Sequence, residues 1–483
     1  MSLIARVFGL ENASEPGVRL ARILAIILPA FAASFQISTT FWTITIAESL
    51  GNGNYVAGLG LVGFLVVLQL AIQTGLDYPT GVLGDHIGQR YVIASALLCY
   101  AGAFWLTSTL TPTSPIPVFV AIYALMGIGA SQESGAFDAW FDNNYRVAVP
   151  EDKDRKQYGV FMGKVGFLWR SVSTLVLLPG SWLAVLYGRP WVFQLQTILA
   201  IVLAFVVFRL IRDLPGAREE SQTKSVGEYL SLMKDGFGFL LSDRFVFMTI
   251  MGEVLIWATG TLWWTLILFP LYFAYMITDV AVSSYRTLVF IPEAVGQERS
   301  GIWAKRFDPV KWAPRFRIFE FCGFFFYVVL ALNTFIFPPP FQSENPLRLT
   351  LPFTNLPIIE MPAESVLPMI IMFVLFVITD VFANLANILT QRVMIDVIPN
   401  RIRNSMYSLK PTLSILFAMP LLAFFGWLLP LGGFGITFAL VSLIALAGAI
   451  LIARGFSYPI PKAEIIVPAQ KEEVKGIEQL EVT

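Results

Sequence analysis

Residues 81–90 read Gly-Val-Leu-Gly-Asp-His-Ile-Gly-Gln-Arg. They form a compact polar turn, rich in glycine and carrying one acid and one strong base, between two long apolar segments. Apolar segments recur on both sides of it, from near residue 22 to near residue 453. At a rise of about 1.5 Å per residue, roughly 20 such residues cross a bilayer core.

The 483-residue chain is 56% hydrophobic and only 14% charged. That is too little charge to coat a soluble protein of this size. The apolar runs are continuous rather than alternating, which excludes a membrane β-barrel. The chain therefore reads as an all-α, polytopic membrane protein. Its formal net charge is zero, so bulk charge points to no partner, and no nucleic acid is expected. Cys99 and Cys322 both lie in apolar segments and read as buried small hydrophobes rather than a disulfide. With two cysteines and one histidine, a thiolate or imidazole metal cluster is not expected, nor is a cofactor. Arg6, Glu11, Glu15 and Arg19 precede an apolar run of about 25 residues, too long for a cleavable signal.

Twelve spans are expected, at about 22–47, 55–77, 91–110, 116–141, 158–187, 190–212, 244–274, 277–303, 316–337, 366–396, 405–429 and 433–454. Gly, Pro and charge clusters mark the connections. Lys and Arg sort to one side. With both termini cytoplasmic, that side holds Arg90, Arg146, Lys153, Arg155, Lys156, residues of the central linker, Lys305, Arg306, Arg317, Arg392 and Lys410, whereas the outer loops hold Arg189 and Arg348. The expected divisions are a cytoplasmic segment 1–21, a six-helix bundle 22–212, a linker 213–243 ending in an amphipathic helix, a second bundle 244–454, and a tail 455–483. Residues 338–364 form the longest outer loop.

The two halves echo one another. Residues 301–306, Gly-Ile-Trp-Ala-Lys-Arg, repeat the glycine and bases of the opening stretch, with Lys305 in the place of its acid. Pro150 to Tyr158 matches Pro399 to Tyr407 in separation, with arginines between. The offsets are 220 residues (81 to 301) and 249 residues (150 to 399), and the difference is roughly the extra length of the outer loop. One insertion explains both, as expected of an internal repeat.

The opening stretch resembles the signature loop of the major facilitator superfamily, G-x-x-x-D-[basic]-x-G-[basic]-[basic]. Gly81, Asp85, Gly88 and Arg90 match; His86 stands where Arg or Lys is usual, and Gln89 where a base is common. The resemblance implies twelve transmembrane helices in two pseudo-symmetric six-helix bundles around a central cavity. It implies a carrier that rocks between inward-open and outward-open states. It also implies that spans one, four, seven and ten line the cavity and that spans five and eight meet between the halves. Fold does not name the solute.

A charge at the bilayer centre is costly, so each intramembrane charge marks a partner or a wet cavity. Depths counted at about 1.5 Å per residue put Glu133, Glu253, Glu293, Asn387, Arg170 and Asn384 at about 13–20 Å, and Arg286 and Asp380 near 25 Å. Asp380, Asn384, Asn387 and Gln391 recur at one face of span ten; solute contact and a buried interhelical ladder both fit. Glu133 is deep enough to titrate, and burial disfavours the charged form of a carboxyl, as proton carriage requires. Arg170 can pair with Glu293, and Arg286 with Asp380; either arginine can instead take an anionic ligand. Glu253, Trp257 and Trp264 follow helical spacing in span seven, and Gln36, Thr40 and Thr43 offer hydroxyl and amide groups in span one. Asp77, Gly81, Asp85, Gly88, Arg90, Asp138, Asp142, Arg146, Lys305 and Arg306 are expected to form a cytoplasmic gate.

The resulting expectation is a secondary active transporter of a small solute in the plasma membrane, acting as a monomer. Proton-coupled export of amphipathic compounds and uptake of an organic acid or sugar both remain open. A non-transporting sensor would need a larger soluble output domain than the linker or tail supplies. No P-loop, G-x-S-x-G or His/acid metal motif supports an enzyme.

Overall fold

In the computed structural model the described residues are 15–152, 156–215, 217, 226–340, 346–399 and 402–461; the side chain of Asp85 lies outside the described set, as do Lys153, Arg155 and residues 462–483 of the tail. The helices are α1 (Glu15–Gln36), α2 (Thr39–Leu50), α3 (Tyr55–Ile87), α4 (Gln89–Ser108), α5 (Ile116–Glu133), α6 (Ala136–Ala148), α7 (Lys156–Leu175), α8 (Leu177–Tyr187), α9 (Arg189–Leu210), α10 (Val226–Ser242), α11 (Arg244–Leu262), α12 (Leu268–Met276), α13 (Asp279–Trp303), α14 (Pro309–Phe319), α15 (Phe324–Ile336), α16 (Val366–Val397) and α17 (Arg403–Gly455). Among the described residues, ten helical stretches are long and apolar enough to cross a membrane. An apolar run in lipid must satisfy its own backbone, and a helix does so. Two spans escape that hydropathy test. The α13 span carries Asp279, Arg286, Glu293, Glu298 and Arg299. The α17 stretch holds two spans joined at Gly433, whose φ of 70° breaks it. The twelve spans form two six-helix bundles.

Five spans are broken rather than continuous. Span one is α1 plus α2; span four is α5 plus α6; span five is α7 plus α8. Span seven passes from α11 to α12 through a π turn at Trp263–Ile267. Span nine is α14 plus α15, so it starts at Pro309 rather than near 316. Span four, expected as one helix over about 116–141, is broken between Glu133 and Ala136. Gly135 sits there with φ 72°, a conformation that costs a residue with a Cβ but not glycine. The opening stretch is also less of a turn than its polarity suggests. Helix α3 runs on to Ile87, and only Gly88, with φ 108°, interrupts the path into α4.

The outer loop is not wholly irregular. Strands β1 (Pro346–Thr350) and β2 (Pro357–Pro362) pair antiparallel, with Leu347 opposite Met361 and Arg348 opposite Glu360. The strand β2 straps both halves. Its carbonyls at Pro357, Ile358 and Glu360 accept hydrogen bonds from Trp182 of α8, Ser284 of α13 and Thr278, which caps α13.

The halves meet most closely between α3 and α17. A Cβ added to Gly63 would lie 2.6 Å from the Leu422 carbonyl oxygen and 3.0 Å from Gly426 Cα. Tyr55 of α3 packs edge-on against Phe273 of α12. The deep core of the second half is aromatic: Trp263 is fully buried among Phe321, Phe326, Phe376 and Phe438.

Candidate functional site

The hydrogen bonds that join the halves through described residues gather at the end that carries the β-hairpin. Arg189, first residue of α9, donates from Nε and Nη2 to both oxygens of Asp279 at 2.7 and 2.8 Å. Its Nη1 donates to Glu48 at 2.6 Å. Deeper in, Ser181 and Ser283 hydroxyls lie 2.6 Å apart, and Ser283 reaches Thr40 at 3.0 Å. Thr287 reaches the Thr174 carbonyl at 3.4 Å. Beyond that point α7 and α13 diverge around a cavity of about 380 Å³, lined by Met162, Gly163, Gly166, Arg170, Gln297 and Glu298 among others. The halves are sealed at the hairpin face and part toward the face that carries Arg146, Lys305 and Arg306.

Arg170 lines that cavity. Its side chain has no hydrogen bond or ion pair among the described residues, and it lies within electrostatic reach of Asp380 across the gap between the halves. The expected Arg170–Glu293 pair does not form. Glu293 is held instead by Arg286, seven residues before it on the same helix, through paired bonds of 3.0 and 3.1 Å. This also displaces the expected Arg286–Asp380 pair. A fork of two parallel bonds is the geometry that guanidinium and carboxylate favour, and two turns of α13 supply it without help from another helix. Asp380 accepts from Asn384 Nδ2 at 2.9 Å. The π turn of span seven brings the Trp264 ring to 5.4 Å from the Arg286 guanidinium; such turns widen a helix locally and re-aim its side chains.

A second constellation lies in the second half, and the sequence reading did not assemble it. Arg317, 2% exposed, lies in the last turn of α14. Nη2 donates to Glu253 at 2.5 Å and to Thr390 at 3.5 Å, while Nη1 donates to Glu320 at 2.7 Å and Asn387 at 2.9 Å. The other Glu253 oxygen accepts from Lys410 Nζ. Two cations and two carboxylates balance, as a buried ionic cluster requires. The break after α14 places Glu320 there: Cys322 takes φ 65°, its carbonyl accepts from Thr259, and Phe321 N–H donates to the Thr379 carbonyl. Neighbouring helices thus satisfy the backbone that the break frees. Beside the cluster is a cavity of about 510 Å³, lined by Trp257, Asn387, Gln391, Met394, Met406 and Lys410 among others. Arg317 and Lys410 had been sorted among the cytoplasmic bases; both lie within this ionic cluster.

The first-half candidates have varied surroundings. Glu133 is half-buried, within electrostatic reach of Tyr100 and Asp138, and makes no hydrogen bond or ion pair among the described residues. Gln36 accepts from Thr39 at 2.8 Å. Thr40 is 1% exposed and belongs to the seal between the halves rather than to an open wall. One carboxylate oxygen of Asp77 is buried without a partner. Gly81 has open space around it. Arg90 turns to its neighbour Tyr91 at 2.7 Å and stacks beside Phe208. Arg146 does reach Asp142, at 2.7 Å within α6. Asp138, Lys305 and Arg306 are exposed.

The sequence profile described as Major Facilitator Superfamily matches residues 23–347. A search of curated proteins finds no match. Among solved structures the chain resembles a mutant of the nucleoside transporter NupG, at TM-score 0.64 and 11% identity, covering 90% of this chain and 100% of that one. It resembles a D-xylose-proton symporter at TM-score 0.58 and 12% identity, covering 91% and 98%. It also resembles a bacterial homolog of the human lysosomal transporter Spinster, solved inward-facing and unoccupied, at 0.58 and 12%, covering 94% and 96%. At these identities the likeness is one of fold.

Proposed function

Because the chain belongs to the Major Facilitator Superfamily, we propose that it is a secondary active transporter that moves a small solute by alternating access, with protons as the coupling ion. The observation that carries this reading is Arg170. It is a cation with no ion pair among the described residues, in a cavity between the halves, within electrostatic reach of Asp380 and below a face sealed by Arg189 and Asp279. An intramembrane charge without a partner is expensive unless water or a ligand reaches it. The sealed face is the outer one and the open face the cytoplasmic one, because Lys and Arg concentrate on cytoplasmic loops. Both termini are then cytoplasmic, the plasma membrane is the site of action, and one chain is the functional unit. Asp85, Arg90 and the bases at 305 and 306 belong to the opposite gate, which closes when the hairpin face opens. Glu133 is the proton carrier: an intramembrane carboxyl with no fixed cation can gain and lose a proton without breaking an ion pair.

Purified protein in liposomes, with an imposed pH gradient and a panel of labelled solutes, tests this. The gradient should drive accumulation in the wild type, and Glu133→Gln should leave exchange intact while removing gradient-driven accumulation. Accumulation by Glu133→Gln equal to wild type would remove Glu133 from the coupling step.

A further inference from the structure

The 510 Å³ cavity of the second half has a size suited to a small molecule, and its wall holds an unusual contact. Glu253 binds two cations, Lys410 and an Arg317 that it shares with Glu320. Arg317 is fixed by four acceptors and almost fully buried. Lys410 is ion-paired with Glu253, and its side chain is 31% exposed. Its ammonium also lies 5.7 Å from the Trp257 ring centroid. A carboxylate and an indole face around one ammonium make a cation site, and here the protein's own ammonium fills it. A ligand that brings only a cation or only an anion would leave the enclosed cluster with a net charge. A ligand that brings one of each leaves it neutral.

We propose that this cavity binds a zwitterionic solute of the amino-acid type with an apolar side chain. The ligand's ammonium takes the place of Lys410 Nζ between Glu253 and Trp257. Lys410, released and already facing the cavity, takes the ligand's carboxylate. Arg317 stays bound to Glu253 and Glu320 throughout, so that it and the ligand's ammonium balance the two carboxylates. The apolar side chain lies against Ile250, Met394 and Met406, which line the same space. Lys410 is thus a tethered competitor that excludes simple amines and admits zwitterions. This names the solute class for the carrier proposed above and rests on that reading only for the ligand's being transported; binding itself does not require it.

The test is calorimetric titration of purified full-length protein in detergent with L-phenylalanine, 2-phenylethylamine and 3-phenylpropionate. Wild type should bind L-phenylalanine about tenfold or more tighter than either half-analogue. Lys410→Met, which empties the cation site and removes the carboxylate partner, should reverse the order and bind 2-phenylethylamine tighter than L-phenylalanine by about tenfold. Trp257→Leu, at a half-exposed position where folding is not at stake, should weaken L-phenylalanine several-fold. Absence of binding in wild type, equal affinity for all three ligands, or an unchanged order in Lys410→Met would each overturn the proposal. Binding as expected without uptake into liposomes would leave this site standing and remove the carrier reading; uptake of other solutes without L-phenylalanine binding would do the reverse.

Discussion

Replacing Asp279 by Asn should open the sealed face. In the closed arrangement Asp279 accepts two charge-assisted bonds from Arg189, with the two side chains 10% and 19% exposed. Removing one partner of such a buried pair costs about 2–5 kcal/mol. Arg189 keeps its bond to Glu48 at 2.6 Å, so no bare cation is left and the lower part of that range applies, about 2–3 kcal/mol. The loss falls on the closed state alone, because Asp279 and Arg189 belong to different halves. It corresponds to about a 30- to 150-fold shift of the equilibrium toward the state open at the hairpin face. Ala281, two residues further along α13 and 1% exposed, reports on it. In a background with Cys99 and Cys322 replaced, a cysteine at Ala281 should react with a membrane-impermeant thiol reagent at least about 30-fold faster when Asp279→Asn is added. Arg189→Gln should produce a similar rise, and the double variant little more than either alone. A rise below twofold, or full additivity, would refute the assignment of this pair as the latch.

Three further outcomes follow from the packing. Gly63→Ala places a methyl against the Leu422 carbonyl and Gly426, so it should cost the sealed state about 1–3 kcal/mol and speed labelling of the same cysteine; an unchanged rate would mean the contact yields freely. Arg317→Met leaves Glu253 with Lys410 but strands Glu320 in the interior and should destabilise the second half by about 3–5 kcal/mol, read as a lower unfolding midpoint in detergent, whereas Arg146→Met on the exposed Arg146–Asp142 pair should cost under about 1 kcal/mol. Trp182→Phe removes the bond to the Pro357 carbonyl and about 1 kcal/mol of hairpin anchoring, so limited proteolysis within 346–362 should quicken several-fold.

Most of the architecture was legible in the sequence, because continuous apolar runs of bilayer length admit few structures. The runs, the repeat offsets and the loop at 81–90 pointed to two six-helix bundles. What stayed hidden were the breaks. Gly135 and Cys322 interrupt spans four and nine, and a π turn at Trp263–Ile267 leaves no compositional mark. Those breaks governed the site. Because span nine begins at Pro309, Arg317 lies deep within it rather than at its edge. Its partner Glu253 is 64 residues away, and Lys410 is 157 residues from that same carboxylate. Helical spacing brings out pairs on one helix, such as Arg286 with Glu293, but is blind to pairs across helices. The polar stripe of span ten was real as a stripe, yet its members divide: Asp380 and Asn384 bond to each other, whereas Asn387 serves Arg317.

The central claim is that one face closes as the other opens. Spin labels at the exposed positions Leu186 and Ile336 near the hairpin face, and at Val147 and Ile302 near the basic face, allow both distances to be measured by pulsed dipolar spectroscopy in liposomes. With Asp279→Asn added, the Leu186–Ile336 distance should lengthen and the Val147–Ile302 distance should shorten in the same fraction of molecules. If one distance moves while the other stays fixed, or both lengthen together, the halves do not alternate and the account is wrong.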